Sequence, residues 1–213
     1  TRRHITEFIS IDIEEAFVTA EDVMRLAEEL IQFICRVVRE KCREELEVLN
    51  HNFEVPELPL KRLTYDEVLD ELRELGIKLE WGEDIPTMGY RALGKVHPYF
   101  YFIIDWPTKL KPFYIKPKDD NPEISEGFDL MWSWIEIASG GTRVHKKDLL
   151  IKRLKEQGLH PESFKYHLQS FDYGMPPHAG WAIGLERLIM MLTGINNIRE
   201  VVLFPRDRFR LTP

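Results

Sequence analysis

Between residues 4 and 17 (HITEFISIDIEEAF) apolar and polar positions alternate. Ile9, Ile11 and Ile13 point one way and Phe8, Ser10, Asp12 and Glu14 the other, the pattern of a strand with one face in the core. The second face, with an aromatic ring and two acids, suits the wall of a cleft. Thr19 and Asp22 then resemble a capping signal, and Val23, Leu26, Leu30, Phe33, Ile34 and Val37 recur at helical spacing as an expected core stripe. A second capping box, Thr64 to Glu67, opens a helix that closes at Gly76. Residues 80 to 96 hold Gly82, Pro86, Gly89 and Gly94 without clear periodicity and read as a mobile loop or insertion.

The β-branched and aromatic runs YFYFIID and PFYI read as buried strands. SEGFDLMWSWIEIAS (125 to 139) is a further strand region in which Asp129 and Glu136, seven apart, would face opposite sides of one straight strand. For both to serve one site, a bulge or tight turn must fall near Trp132 and Ser133. Helices are expected at about 145 to 157, 161 to 170 and 182 to 193, ended in the first and last cases by Gly158 and Gly194. NIREVVLF then reads as a returning strand. Strands and helices do not alternate regularly, so the fold class is α+β with an antiparallel sheet flanked by helices, in one domain spanning 1 to 213.

Composition narrows the function classes. The chain has 213 residues, a formal charge of −7 and 44% hydrophobic residues, enough for a substantial core but without the overall basic field that drives nonspecific nucleic-acid binding. Any RNA contact must be local. Cys35 and Cys42 are the only cysteines, with no CxxC pairing, which fits a reducing cytoplasm better than a disulfide or zinc framework. No apolar run is long enough to span a membrane. The chain starts at Thr1 in what looks like strand interior, and reads as a fragment.

Taken alone, GWAIGLERL (180 to 188) is as well explained by close helix packing beside a surface arginine as by a site, and no GxxxxGK[ST] phosphate loop occurs. Five segments read together are more specific. TRRHITEFISID resembles the second half of motif 2 of the class II aminoacyl-tRNA synthetases, and GWAIGLER resembles their motif 3. IEIASGGTR, PPHAG and NIREVVLFPRDRFRLTP are similar to the aspartyl branch, closest to archaeal and eukaryotic forms. These matches run in order along nearly the whole chain.

The resemblance implies a C-terminal catalytic portion that activates L-aspartate with ATP and passes it to the 3′ end of tRNA(Asp), in a cytoplasmic homodimer. Such chemistry depends on holding two anions in line and neutralising developing charge. It implies ATP contacts from Arg3, His4, Ile5, Phe8, Glu136, Gly184, Leu185, Glu186 and Arg187, with Arg3 and Arg187 as the catalytic cations. Phe8 and Arg187 would cover the two faces of adenine. Asp12, Ser139 and Arg143 would bind aspartate, Arg143 pairing with its side-chain carboxylate. Glu136, Asp129 and Ser139 would hold Mg²⁺, an ion that takes hard oxygen ligands. On a continuous strand Phe8 and Asp12 would share a face about 13 Å apart. His178 is placed near the substrate, and His145, His160 and His167 are left as surface or capping residues.

The sequence also departs from the pattern. The arginine and acid that open motif 2 would precede Thr1, as would motif 1, the anticodon-binding domain and a lysine for the amino-acid carboxylate, so the chain by itself is expected to be inactive. Ala182 replaces a frequent glycine, and Thr142 stands where many relatives have glutamine, which leaves the hydrogen bonding around Arg143 open. Asparaginyl-tRNA synthetases share the fold and most motifs, and an adenylate-forming paralogue without tRNA is a further alternative.

Overall fold

The computed structural model describes residues 1–212, so Pro213, the end of the last matched segment, lies outside the described residues. The elements are β1 (Ser10–Ala16), α1 (Ala20–Lys41), α2 (Arg43–Val48), β2 (Lys61–Thr64), α3 (Tyr65–Glu74), α4 (Thr87–Val96), β3 (Phe100–Ile104), β4 (Gly127–Trp132), β5 (Ile135–Thr142), α5 (Lys147–Glu156), α6 (Lys165–Ser170), β6 (His178–Gly184) and α7 (Leu185–Thr193). The strands form one six-stranded sheet in the order β1-β6-β5-β4-β3-β2. Every neighbour pair is antiparallel except β2 with β3. The α+β expectation holds, with one parallel edge.

The two faces of the sheet have different cover. α1 and α7 pack on one face through Val23, Ala27, Ile31, Leu188 and Met191, against Phe102, Phe128, Leu130, Ile137, Trp181 and Ile183. The Trp181 indole N–H donates to the Val23 carbonyl at 2.8 Å, which satisfies its one polar group in the core. On the other face, α3 and α4 pack only the β2–β3–β4 end, where Leu69, Leu72 and Leu93 meet Tyr101, Ile103 and Met131. The rest of that face, formed by β1, β6, β5 and part of β4, is left as a floor. A satellite cluster of Val144, Leu150, Leu154 and Leu168 ties α5 and α6 beside it.

Several expectations are corrected. The first strand begins at Ser10 rather than residue 4. Residues 1–9 are irregular because other partners claim their backbone: Ile9 N–H donates to the Glu186 carboxylate at 2.9 Å, Thr6 N–H to the Arg206 carbonyl, and the Arg2 carbonyl accepts from Ile198 N–H. The α1 stripe is rotated: Val23, Met24, Ala27, Ile31 and Cys35 are buried, while Leu26 and Phe33 are exposed. PFYI is a turn carrying one isolated bridge between Ile115 and Arg143. Gly180–Gly184 belongs to a strand, so the last helix starts at Leu185 rather than 182. NIREVVLF forms a short 3-10 turn, Ile198–Glu200, instead of a strand. Of the expected helix at 161–170, the first residues, Pro161–Phe164, are 3-10.

The stretch read as a loop holds α4. Its glycines obscured the helical pattern, yet they are there for contact: Gly89 and Gly94 are buried, and a Cβ on Gly94 would lie 2.7 Å from both Ser133 Oγ and Trp134 N. The β4–β5 turn therefore sits directly on the helix backbone. Ser133, at φ 53°, makes that turn. It donates from its hydroxyl to the Gly94 carbonyl at 3.2 Å. Gly94→Ala should consequently lower stability by about 1–3 kcal/mol from overpacking, despite the better helix propensity of alanine. The denaturation midpoint measures this, and a higher midpoint would show that the turn is free to move off the helix.

Candidate active site

Sheet register decides which side chains share the floor. Asp12 pairs with Ala182, Ala182 with Ser139, and Ser139 with Asp129, giving one row across β1, β6, β5 and β4. Partners in register point to the same side, so this row crosses the face opposite α1 and α7, spanning about 14 Å from end to end. Glu136 joins it through a bulge. Leu130 pairs with Ala138 but Met131 pairs with Glu136, which leaves Ile137 unpaired. Glu136 and Ser139, three apart, would otherwise face opposite sides. The turn required near Ser133 is present as well.

Two adjoining cavities lie over this floor. The first is lined by Arg3, His4, Ile5, Phe8, Glu136, Ser139, Gly184, Glu186 and Arg187, among others. The second shares Arg3, His4, Glu136, Ser139 and Arg187 and adds Tyr90, Lys111 and Asp129. Phe8 is 65% exposed and free of the strand, so the common strand face expected for Phe8 and Asp12 does not form. The two belong to different cavities instead. Arg187, in the first turn of α7, is fixed by donating from Nη1 to the Glu136 carbonyl at 2.8 Å and its carboxylate at 3.3 Å, and from Nη2 to His4 Nε2 at 3.2 Å. Leu185 meets the site only through its backbone, donating N–H to the Ile9 carbonyl. The Glu186 carboxylate lines the first cavity while accepting from Ile9 N–H, so it also tethers the segment that carries Phe8.

The charges are strongly coupled. Burial, then the neighbouring Arg187 and Arg3 guanidiniums, holds His4 below its ordinary range, which keeps it neutral and able to accept from Arg187. Arg3 is likewise pushed down by burial and by Arg187 and Arg91, a crowding of cations that an anion would relieve. Glu136 is pushed up, first by desolvation and next by Asp129. Although 43% of its side-chain surface is open, that surface faces the cavity between protein walls rather than bulk water.

Asp129 is buried, and both of its oxygens accept from Lys111 Nζ, at 2.7 and 2.6 Å. Among the described residues no three His, Cys, Asp or Glu side chains converge as a metal cage. Glu136 and the Ser139 hydroxyl nevertheless line both cavities as hard oxygen donors, and a carboxylate raised by burial beside a second acid is a place where a cation is favourable.

A third cavity holds Asp12, Glu14, Tyr114, Arg143, His167, His178 and Ala182. Ala182 is the wall it shares with the first, and Ala182 is the cross-strand neighbour of Ser139. Arg143 donates from Nε to both Glu14 oxygens, at 3.0 and 3.2 Å, and from Nη2 to Oε1 at 2.5 Å. Its guanidinium also lies over the Tyr114 ring. Its Nη1 makes no hydrogen bond among the described residues. Asp12 accepts from the Ser10 hydroxyl at 2.8 Å. Thr142 does not bond Arg143: its hydroxyl accepts from Ala20 N–H at 2.9 Å and fixes the start of α1.

Lys111, Tyr114 and His167 are site-lining residues that sequence reasoning missed. Glu14 falls on the cleft face by its parity with Phe8, Ser10 and Asp12, which by itself gives it no role.

The largely antiparallel sheet, with cationic and acidic side chains on one open face, has the fold of the class II tRNA synthetases. Residues 1–208 match the family described as tRNA synthetases class II (D, K and N), and the chain belongs to that family. It is 52% identical over 213 residues to an aspartate–tRNA(Asp/Asn) ligase of Methanothermobacter thermautotrophicus, covering 100% of this chain and 49% of that protein. It is 48% identical over 219 residues to an aspartate–tRNA(Asp) ligase of Pyrococcus abyssi, covering 100% of this chain and 50% of the relative. Among solved structures it is similar to aspartyl tRNA synthetase from Entamoeba histolytica, with a TM-score of 0.93, 37% identity and coverage of 100% and 46%. It is also similar to asparaginyl-tRNA synthetase from Pyrococcus horikoshii complexed with asparaginyl-adenylate, with a TM-score of 0.93, 31% identity and coverage of 100% and 50%. The chain spans about half the length of the curated relatives it matches.

Glu136 gives a pH prediction. A carboxyl held above its unfolded value is stabilising only while protonated, and the contribution is lost as pH rises through the folded value. Glu136→Gln should therefore be more stable than the parent at neutral pH, with the difference closing below the ordinary glutamate range, near about pH 4. Denaturation midpoints across pH measure this, and a less stable variant at neutral pH would show that the Arg187 pair outweighs desolvation.

Proposed function

We propose that this chain carries the aspartate-activating site of an aminoacyl-tRNA ligase. The observation that carries the reading is the adjacency of two cavities: one holding an arginine and an acid, Arg143 and Asp12, is separated at Ala182 from another lined by Arg3, His4, Phe8 and Arg187. Identity of about half with relatives named aspartate–tRNA ligases supports the same reading.

In this mechanism the free edge of Arg143 binds the aspartate side-chain carboxylate and Asp12 takes the ammonium. An α-carboxylate oxygen then lies toward Ser139, next to the ATP cavity. It attacks the α-phosphorus, a P–O bond forms, and the bond to pyrophosphate breaks. Phe8 and Arg187 hold the adenine between them, and Arg3 with neutral His4 contacts the phosphates. Glu136 and Ser139 would hold Mg²⁺, with Asp129 behind them on Lys111; when bound, the ion neutralises phosphate charge. In the second step a ribose hydroxyl at the 3′ end of tRNA(Asp) attacks the aspartyl carbonyl and AMP leaves. A homodimer in the cytoplasm belongs to the same reading. No helix among the described residues is long and apolar enough to cross a membrane.

A second reading takes asparagine as the amino acid, supported by likeness to solved asparaginyl-tRNA synthetases. Aspartate is favoured because Arg143 offers a formal cation to the side chain and identity to the named aspartate ligases is higher. Aspartate-dependent ATP–pyrophosphate exchange by the full-length protein tests the proposal, and faster charging with asparagine would replace it. Arg143→Lys should raise the aspartate KM about tenfold or more, with little effect on ATP, because a rigid fork becomes a point charge. Arg187→Ala should weaken ATP instead, since it removes both the adenine lid and the donor to Glu136. Unchanged ATP affinity would exclude that role.

A further inference from the structure

We propose that Trp134 gathers Arg3 and Arg91 into a two-arginine clamp for the terminal phosphates of a nucleoside triphosphate, Trp134 acting as the positioning residue. The inference rests on the ATP reading above and adds to it two residues that reading does not use, Trp134 and Arg91. Trp134 occupies the β4–β5 turn, against the guanidinium of Arg3, which lines the second cavity. The Arg3 guanidinium carbon lies 4.8 Å and that of Arg91 4.6 Å from the Trp134 ring centroid. Two cations lie against one indole, whose electron-rich π system offsets part of their mutual repulsion.

The turn itself is held in place. The Tyr101 hydroxyl donates to the Ser133 carbonyl at 3.0 Å and the Ser133 hydroxyl donates to the Gly94 carbonyl at 3.2 Å, so the indole is carried on a fixed support. Arg3 is held from a second side, donating from Nη2 to Thr87 Oγ1 at 3.1 Å. Thr87 and Arg91 are four apart on α4 and so share one helix face, which places the Arg91 charge beside Arg3. Thr87, Tyr90, Arg3 and Arg187 line the second cavity together. Arg3 and Arg187 thus line an opening that continues from the cavity lined by Phe8, and Arg91 stands beside them through the Trp134 ring it shares with Arg3. A ligand with adenine by Phe8 would extend its far phosphates toward this group, whereas a monophosphate would stop short of Arg91.

That difference supplies the test. Equilibrium binding of ATP, pyrophosphate and AMP is measured on the full-length protein and on Trp134→Ala, Trp134→Phe and Arg91→Gln. Trp134→Ala should weaken ATP and pyrophosphate about tenfold and Arg91→Gln about fivefold, with AMP within about twofold of the parent, and Trp134→Phe should restore most of the loss. Equal weakening of ATP and AMP would reduce Trp134 to a structural support and overturn the clamp. So would ATP affinity within about twofold of the parent in both Trp134→Ala and Arg91→Gln. A parent protein that binds no ATP would overturn the functional reading itself, and the clamp with it.

Discussion

β5 carries one residue more than β4 opposite it, and the placement of that residue governs which side chains reach the site. With Ile137 unpaired, Ile137 and Ala138 both enter the core beneath the sheet while Glu136 and Ser139 both face the cavity. A regular ladder would force a choice, because alternation sends residues three apart to opposite faces. The row from Asp12 through Ala182 and Ser139 to Asp129 is useful only because Glu136 is brought to the same side. Packing and chemistry thus rest on one local break in pairing.

The second organising constraint is charge. A chain of net charge −7 concentrates Arg3, Lys111 and Arg187 around one open floor, and the last two are each paired with an acid. Arg187 is held by Glu136, Lys111 by Asp129 and, in the neighbouring cavity, Arg143 by Glu14. These pairs fix long side chains in defined directions before any ligand arrives, which lowers the ordering cost of binding anions. They also explain how an acidic protein can present a locally cationic pocket.

Much of this was legible in the sequence where the signal is local. The capping boxes at Thr19 and Thr64, the stop signals at Gly76, Gly158 and Gly194, the strand at Phe100–Ile104 and the turn at Ser133 all follow from spacing or backbone chemistry over a few residues. The expected site residues also come together: Arg3, His4, Phe8, Glu136, Ser139 and Arg187 line joined cavities, and Asp12 and Arg143 share the adjoining one. Where the pattern misled, a distant partner had overridden it. Leu26 and Phe33 match helical periodicity, yet the sheet takes the adjacent stripe of α1. Gly89 and Gly94 look like loop residues, yet they admit Ile85 and the β4–β5 turn to α4.

The sequence by itself determined the inventory, meaning the residue types a two-anion site needs, their order along the chain, and the caps and stops of several helices, because these depend on contacts within a few residues. Tertiary structure decided the pairings. That Asp129 is held by Lys111, Arg143 by Glu14, Phe8 by a segment tied to Glu186, and Arg3 by Trp134 follows from strand register, a bulge and a helix docked on a turn. These bring together residues up to 177 positions apart, and no local pattern encodes a distance of that kind.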